Sequence, residues 1–189
     1  LGAEAFTDWD EFLDSGIDAV VISTPLKCHA EQAISALEHG IHVLSEVTAC
    51  RTLPEAYALA RAGRKSSAVY MFSENYQYLD EVELVKRMVA DGRFGDVYYG
   101  EGEYLHDCQS LWYDTEGHLT WRGKGELGVY CTHSLGPLLY ITGDRVVSVS
   151  CLETPAGIYD PDVTVPIQHV LLMKTAKGHM FKVRVDWNS

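Results

Sequence analysis

The first third of the chain alternates short apolar runs with stretches of helical periodicity. Residues 19–22 form a continuous apolar run, which is typical of a strand that is covered on both faces. Residues 29–39 carry apolar side chains at positions i, i+3, i+4 and i+7, which predicts a helix that ends at Gly40. Further strands are predicted at 41–45 and 68–73. This order of strands and helices is the pattern of a parallel α/β sheet.

Two capping signals mark where further helices begin. Asp8 precedes a short stretch with helical character, and Glu11 follows it by three positions. Thr52 and Glu55 repeat that spacing, and Pro54 lies in the first turn. A capping box satisfies N–H groups that the first turn of a helix leaves without partners. We therefore predict helices that begin directly after Asp8 and Thr52.

From residue 77 onward the pattern indicates a second domain of a different kind. A helix is predicted at 80–91 and another at 130–141, although Gly136 and Pro137 are expected to interrupt the second one. Elsewhere apolar residues recur with a period of two, as they do along strands. The predicted strands are 97–106, 146–154, 164–175 and 178–187. The predicted fold class is α/β, with a parallel sheet followed by an α+β domain whose sheet is largely antiparallel.

One face of the predicted strand 97–106 carries residues of chemical interest. The alternation of side chains puts Gly100, Gly102, Tyr104 and His106 on the same face. The two glycines leave room above the strand, which a neighbouring backbone or a sugar ring would fill. Tyr104 is either a core aromatic residue with one polar edge or a group that reaches a ligand.

Charge and composition exclude several classes of function. The 189 residues carry a formal net charge of −12, whereas nucleic acid or an anionic membrane surface requires a basic patch. No apolar run approaches the length of a membrane-spanning helix. The five cysteines contain no CxxC pair, which favours free thiols in a reducing cytoplasm. A metal site of His106, Cys108, Cys131 and His133 is a minor alternative, because their spacing does not specify one.

Polar residues follow each of the three predicted parallel strands. They are Thr24, Glu46 and Glu74. In open α/β sheets ligands bind outside the carboxyl ends of the strands, so these residues are expected to share one crevice. The alternative is that each residue only caps the helix that follows it. Two carboxylates among the three favour a ligand site.

The sequence contains no glycine-rich phosphate turn. Dinucleotide-binding sheets begin with a strand, a glycine-rich turn and a helix that holds the pyrophosphate, and no GxGxxG occurs here. We therefore expect that the first βαβ unit lies upstream of Leu1 and that the second domain is also cut short. The 189 residues alone are expected to bind NAD+ weakly, which calorimetry would measure.

Residues 18–46, DAVVISTPLKCHAEQAISALEHGIHVLSE, resemble the second half of the Rossmann domain in the Gfo/Idh/MocA oxidoreductases. Those proteins carry a strand that ends in a Thr-Pro turn, a His that opens the next helix, and a strand that ends in Glu-Lys-Pro. The resemblance implies that Thr24, Pro25, His29 and Glu46 lie along the nicotinamide half of NAD or NADP. The glutamate is then expected to bind a ribose hydroxyl.

The sequence departs from the dehydrogenase pattern at Val47 and Thr48, where Glu-Lys-Pro would place Lys and Pro. In many family dehydrogenases that Lys assists proton transfer, which a valine cannot do. One branch, the NAD-dependent glycosidases similar to α-N-acetylgalactosaminidase, also carries Glu-Val at this place. Segments that resemble that branch are SENYQY (73–78), EGEYLHD (101–107), TWR (120–122) and VYCTHSLGP (129–137).

Those segments imply a set of catalytic and sugar-binding residues. Tyr104, His133 and Glu74 are expected to be catalytic, and Arg122 and Tyr130 are expected to bind substrate. Tyr104 is the expected base, with its ionised form favoured by His133 and Arg122. Without the resemblance, the two tyrosines are interpreted as core residues and His133 as a partner of a helix terminus.

The resemblance also implies a domain plan and a choice of functions. Residues 1–76 correspond to the C-terminal half of a dinucleotide-binding domain, and residues 77–189 to an incomplete substrate and oligomerisation domain. The first hypothesis is a cytoplasmic NAD(P)-dependent oxidoreductase that acts on a carbohydrate and forms a homo-oligomer through its C-terminal sheet. The second is a glycosidase that oxidises C3, eliminates, hydrates and re-reduces. The third is a non-catalytic sugar-binding relative.

Overall fold

The computed structural model of the chain describes residues 2–125 and 130–189. These residues divide between Ser73 and Glu74 into two compact units, which we call unit 1 and unit 2. Each unit has its own hydrophobic core. None of the helices in these described residues combines the length and the apolar character needed to cross a membrane.

Unit 1 contains a three-stranded parallel sheet with helices between the strands. Its elements are α1 (Trp9–Leu13), β1 (Ala19–Ile22), α2 (Leu26–Glu38), β2 (His42–Ser45), α3 (Leu53–Lys65) and β3 (Tyr70–Phe72). The strand order is β1-β2-β3, and both pairs are parallel. The predicted alternation of strands and helices is therefore confirmed.

The predicted capping signals are present at both helices. Asp8 accepts hydrogen bonds from the N–H groups of Asp10 and Glu11, each at 3.0 Å. At α3 the box is complete, because Thr52 Oγ1 accepts from the Glu55 N–H at 3.3 Å and the Glu55 carboxylate accepts from the Thr52 N–H at 3.2 Å. These bonds satisfy N–H groups that have no partner within the first turn.

Two details of unit 1 differ from the sequence prediction. Helix α2 begins at Leu26, three residues before the predicted start at 29, and Leu26 in its first turn is buried, with only 7% of its surface exposed. Strand β1 is not covered on both faces within the described residues. Ile22 is 1% exposed but Val21 is 65% exposed, since α2 packs on one face and leaves the other open.

Unit 2 contains a four-stranded mixed sheet with two helices. Its elements are a 3₁₀ turn (Tyr76–Tyr78), α4 (Asp80–Ala90), β4 (Tyr99–Leu105), a second 3₁₀ turn (Gln109–Leu111), α5 (Thr132–Thr142), β5 (Val146–Glu153), β6 (Gln168–Thr175) and β7 (Met180–Asp186). The strand order is β4-β7-β6-β5, in which β4 runs parallel to β7 and the other pairs are antiparallel. The predicted α/β fold with a largely antiparallel second sheet is confirmed.

The hairpin of β6 and β7 shows the predicted alternation of buried and polar residues. Gly178 lies in its turn with a φ of +95°, a conformation that favours glycine. Phe181 and Val183 are both 0% exposed. Asp186 breaks the alternation because it is also buried, and its carboxylate accepts a hydrogen bond from Arg184 Nη2 at 2.8 Å.

Helix α5 passes through Gly136 and Pro137 without interruption, so the predicted break is wrong. Proline removes only one N–H donor from the helix, and close packing compensates for the lost bond. A Cβ added to Gly102 of β4 would lie 2.5 Å from the carbonyl oxygen of Ser134 in α5. A Cβ added to Gly136 would lie 2.9 Å from Cγ of Glu74. The space above Gly102 is therefore filled by a neighbouring backbone and not by a sugar ring.

Gly102→Ala is expected to lower the free energy of unfolding by about 1–3 kcal/mol, because the new Cβ meets a backbone atom that cannot rotate away. Gly63→Ala is the matched control, since Gly63 lies in α3 and a Cβ there meets no atom within 4 Å. That change is expected to stabilise the protein by about 0.5–1 kcal/mol. Urea unfolding measures both effects, and a Gly102→Ala protein as stable as wild type would contradict the close approach.

Candidate functional site

Polar residues of unit 1 follow the carboxyl ends of two adjacent parallel strands. Thr24 lies beyond β1, where its hydroxyl donates to Gln32 Oε1 at 2.6 Å. Glu46 directly follows β2 and is exposed, and its Oε2 accepts from the N–H of Val47 at 3.3 Å. Because β1 and β2 are parallel, both residues lie at the same edge of the sheet. Pro25 is exposed beside Thr24.

His29 joins the turns that follow β1 and β2. Its ring is 1% exposed, with Nε2 lying 2.7 Å from the Thr24 carbonyl oxygen and Nδ1 lying 2.8 Å from the Thr48 carbonyl oxygen. The ring therefore connects two turns that are distant in sequence. Since it is buried, any contribution to a bound ligand passes through the positions of these turns.

Unit 2 brings four aromatic rings and one carboxylate together, and we call this group the Tyr104 cluster. His133, in the first turn of α5, lies at the centre, with its ring centroid 4.5 Å from that of Tyr76 and 4.9 Å from that of Tyr104. Tyr130 stacks against Tyr104 with centroids 6.4 Å apart and an interplanar angle of 16°. Glu74 completes the cluster through its contact with His133. Three elements thus supply the cluster: the segment before α4, strand β4 and the start of α5.

Glu74 and His133 form a buried acid–base pair. His133 Nδ1 lies 2.9 Å from Glu74 Oε1, and the same oxygen accepts from the N–H of Tyr76 at 3.0 Å. Glu74 is 3% exposed. Burial raises the pKa of this carboxyl, but the hydrogen bonds from His133 and Tyr76 outweigh it and hold the pKa below its ordinary value. Glu74 is therefore ionised at neutral pH and orients the imidazole of His133.

The depressed pKa of Glu74 predicts a loss of stability in acid. A group with a lowered pKa in the folded state contributes stability above its ordinary value of about 4.3, and this is lost as the pH falls through the folded value. At pH 7, Glu74→Gln is expected to cost about 1–3 kcal/mol, because a charged hydrogen bond is lost. The difference from wild type should shrink below pH ~4.

Urea unfolding at a series of pH values measures this difference for Glu74→Gln. Glu116→Gln is the control, because the side chain of Glu116 is 78% exposed and outside the cluster. A Glu74→Gln gap of constant size from neutral to acidic pH would show that the carboxylate charge does not contribute.

The environment of Tyr104 favours its protonated form. Burial and then the nearby ionisable side chains, with Tyr76 first among them, raise the pKa of Tyr104 to about 12. The expectation that His133 and Arg122 would favour the phenolate is therefore wrong. The guanidinium of Arg122 instead lies over the ring of Trp121, 4.3 Å from its centroid. The hydroxyl of Tyr104 lies 3.0 Å from Nδ1 of His106.

Four of the five residues expected from the sequence in the sugar site come together: Glu74, Tyr104, Tyr130 and His133. The guanidinium of Arg122 stacks on Trp121, and its charge also acts on the thiol of Cys108, where it opposes the effect of burial on the pKa. Val129 of the motif that contains His133 lies outside the described residues. Tyr76 and His106 also belong to this neighbourhood, although neither was predicted as a site residue. Tyr76 belongs to the SENYQY segment, and His106 shares the strand face of Tyr104. The sequence therefore contained a signal for each of the two residues.

The structure bears on the predicted free thiols and on the metal site that was the minor alternative. All five cysteines are free thiols. Within residues 2–125 and 130–189, no group of three His, Cys, Asp or Glu side chains converges to hold a metal ion. Burial raises the pKa of the Cys131 thiol to about 11, so this thiol is protonated at neutral pH.

Known proteins resemble this chain in both sequence and fold. A Bacteroides thetaiotaomicron protein named glycosyl hydrolase family 109 protein 1 is 35% identical over 147 residues, which cover 74% of this chain and 31% of that protein. The structure of a levoglucosan dehydrogenase in complex with NADH and levoglucosan is 28% identical, with a TM-score of 0.82 over 97% of this chain and 52% of that one.

An inositol dehydrogenase homolog from Azotobacter vinelandii, complexed with NADH and myo-inositol, shares the fold with a TM-score of 0.83. It is 23% identical, and the match covers 97% of this chain and 50% of that one. The chain thus spans about half the length of these two structures and 31% of the Bacteroides relative.

Family profiles match nearly all of the chain. Residues 1–74 match the profile described as "Oxidoreductase family, NAD-binding Rossmann fold". Residues 82–189 match the profile described as "GFO/IDH/MocA C-terminal domain". The two matches follow the order of the two units, and the second alone covers more than half of the chain. The chain therefore belongs to the GFO/IDH/MocA oxidoreductase family.

Proposed function

We propose that the protein containing this chain is an NAD(P)-dependent oxidoreductase that acts on a sugar or a sugar derivative. The observation that carries the proposal is the Tyr104 cluster, where a buried Glu74–His133 pair and a phenol meet at one place in unit 2. Acid–base groups of this kind move the protons of an alcohol oxidation. The dehydrogenase structures with levoglucosan and myo-inositol support a carbohydrate substrate.

We assign the cofactor to the carboxyl edge of the sheet in unit 1. Thr24, Pro25 and Glu46 present a hydroxyl, a fixed turn and an exposed carboxylate there, and the carboxylate suits a ribose hydroxyl. The buried ring of His29 stabilises the two turns through its contacts with the carbonyl oxygens of Thr24 and Thr48. Bound there, NAD+ would supply the hydride acceptor for oxidation of the substrate alcohol. The matching family profile names NAD, which we take as the cofactor ahead of NADP.

With the cofactor assigned to unit 1, the chain is proposed to contain parts of two functional domains. Residues 1–76 are proposed to be the C-terminal half of the dinucleotide-binding domain, and residues 77–189 the substrate and oligomerisation domain. Within unit 2, which also includes Glu74, Tyr104 exchanges a proton with the substrate. His133 donates from Nδ1 to Glu74, so its Nε2 is left to accept a hydrogen bond from a substrate hydroxyl. Arg122 and Tyr130 are proposed to bind the sugar.

A redox-neutral glycosidase is the second candidate function. It is favoured by the relative named glycosyl hydrolase family 109 protein 1 and by Val47, which stands where many family dehydrogenases carry a lysine. In that reaction Tyr104 removes the proton from C2 after oxidation at C3. Elimination, hydration and re-reduction follow, so that no net redox change results.

Two assays of the full-length protein separate these functions. The first incubates the enzyme with NAD+ and either myo-inositol or levoglucosan and follows the absorbance of NADH. The second incubates it with an aryl α-N-acetylgalactosaminide and follows the released phenol. Net accumulation of NADH supports the dehydrogenase, and aryl release without it supports the glycosidase. Sugar binding with neither reaction would support a non-catalytic relative.

We also propose that the protein forms a homo-oligomer through the sheet of unit 2. Strand β5 lies at an edge of that sheet and exposes Val147, Val149 and Leu152. Apolar side chains on an open edge strand are a site of association. The five free thiols fit a reducing cytoplasm, which is the proposed location.

A further inference from the structure

The hydroxyl of Tyr104 has a hydrogen-bond partner outside the cluster described above. Tyr104 Oη lies 3.0 Å from Nδ1 of His106, and the two rings meet edge to face with centroids 5.7 Å apart at 90°. His106 directly follows β4, and its backbone N–H donates to the Asp186 carbonyl oxygen of β7 at 2.9 Å. Its side chain is exposed, whereas Tyr104 is partly buried. The pair therefore connects the interior of the cluster with solvent.

We propose that His106 takes the proton of Tyr104 when Tyr104 receives a proton from the substrate. The role rests on the proposed function, because it needs a reaction in which Tyr104 exchanges a proton. His106 acts through Tyr104 and is therefore a positioning and proton-accepting residue that does not touch the substrate.

The chemistry of the phenol creates the need for such an acceptor. With its pKa raised to about 12, Tyr104 holds its proton at neutral pH and cannot act as a base unless the proton has another place to go. An imidazole nitrogen is the side-chain acceptor best suited to neutral pH. The geometry supplies one at hydrogen-bond distance from the phenol.

His133 is less suited to this role than His106. Nδ1 of His133 is bound to the Glu74 carboxylate, and the ring meets Tyr104 at a centroid distance of 4.9 Å with a tilt of 38°. The other ionisable groups beside the phenol are Tyr76, Tyr130 and Cys108, and each favours the protonated phenol. His106 has Asp107 as its chain neighbour and the Asp186 backbone on the adjacent strand.

The proton transfer balances without any change of oxidation state. The bond between the substrate and its departing proton breaks, the electron pair stays on the substrate atom, and a new O–H bond forms at Tyr104 Oη. The original phenol O–H bond breaks at the same time, and its proton bonds to Nδ1 of His106. The imidazolium then loses the proton on Nε2 to water. The reverse sequence returns a proton to the substrate.

The first test needs only the hydrogen bond and no turnover. Nitrogen-15 NMR of the His106 ring at neutral pH is expected to show the Nε2–H tautomer, with an unprotonated Nδ1 that accepts from Tyr104. Tyr104→Phe should then shift the Nδ1 resonance, because the donor is removed. An Nδ1–H tautomer, or a resonance that Tyr104→Phe leaves unchanged, would overturn the proposal whatever the activity of the protein.

The second test uses turnover of the full-length enzyme with the probes named above: NAD+ with myo-inositol or levoglucosan, and the aryl α-N-acetylgalactosaminide. His106→Ala is expected to lower turnover about 10²-fold, at the lower end of what acid–base groups contribute. Added imidazole should restore part of the lost rate, because the site of the missing ring is exposed. His106→Asn keeps a hydrogen-bond acceptor near the place of Nδ1 but cannot take the proton, and should stay as slow as His106→Ala.

Two results of the turnover test would contradict the proposed role of His106. A His106→Asn enzyme with full turnover, or a His106→Ala enzyme that imidazole does not rescue, would show that His106 does not accept the proton. His39→Ala is the control for loss of an exposed histidine, because His39 lies at the C-terminus of α2 and binds a carbonyl of its own helix. A wild-type enzyme that turns over none of the probes would count against the proposed function. The NMR result would still decide whether Tyr104 and His106 are hydrogen-bonded.

Discussion

Tyr104→Phe is expected to lower turnover of the full-length enzyme by about 10²–10⁴-fold, the usual contribution of a general acid–base group. The change removes only the hydroxyl, and the ring keeps its contacts with Tyr76, Tyr130 and His133. The affinity for NAD+ should stay nearly unchanged, because the proposed cofactor residues belong to unit 1. In the glycosidase reaction, exchange of the substrate C2 proton with deuterated solvent should fall in parallel with turnover.

The measurements for Tyr104→Phe are steady-state turnover, calorimetry with NAD+ and, for the glycoside probe, deuterium exchange at C2. Tyr57→Phe is the control, since Tyr57 lies on α3 and is 75% exposed. It should leave all three quantities at their wild-type values. If Tyr104→Phe also retains full turnover and full exchange, Tyr104 is a packing residue and the acid–base group lies elsewhere.

Local signals allowed much of the fold to be predicted from the sequence. The capping box of Thr52 and Glu55 and the turn at Gly178 depend on residues close together in the chain, and the structure has both. The start of α2 and the continuity of α5 depend on contacts between distant residues. Leu26 is buried in the first turn of α2, and Pro137 is accommodated in a helix that packs closely on β4.

In the candidate site, too, the features that depend on contacts between distant residues could not be predicted from local sequence signals. The convergence of Glu74 and His133, which are 59 residues apart in sequence, was expected only because their segments resemble those of a known family. The protonation state of Tyr104 depends on burial and on several neighbours at once, and no spacing in the sequence specifies these. The prediction from single charged partners, His133 and Arg122, was therefore wrong.

His133→Ala is expected to lower kcat/KM about 10²-fold, because the substrate hydroxyl would lose the group proposed to orient it and small misplacements are costly. Glu74→Gln should have a similar effect by a different route. A neutral amide no longer fixes the Nδ1–H tautomer as the carboxylate does at 2.9 Å, so the Nε2 lone pair that is proposed to accept from the substrate is no longer secured. Both variants are measured in the full-length enzyme with the probe that wild type turns over.

The double variant Glu74→Gln/His133→Ala gives the sharper result. Residues that act as one unit show non-additive effects, so the double variant should be about as slow as His133→Ala alone. In free-energy terms, the coupling between the two sites should nearly equal the whole effect of Glu74→Gln. Fully additive losses would mean that Glu74 acts on the reaction independently of His133. In that case the bond between the carboxylate and the imidazole has only a structural role.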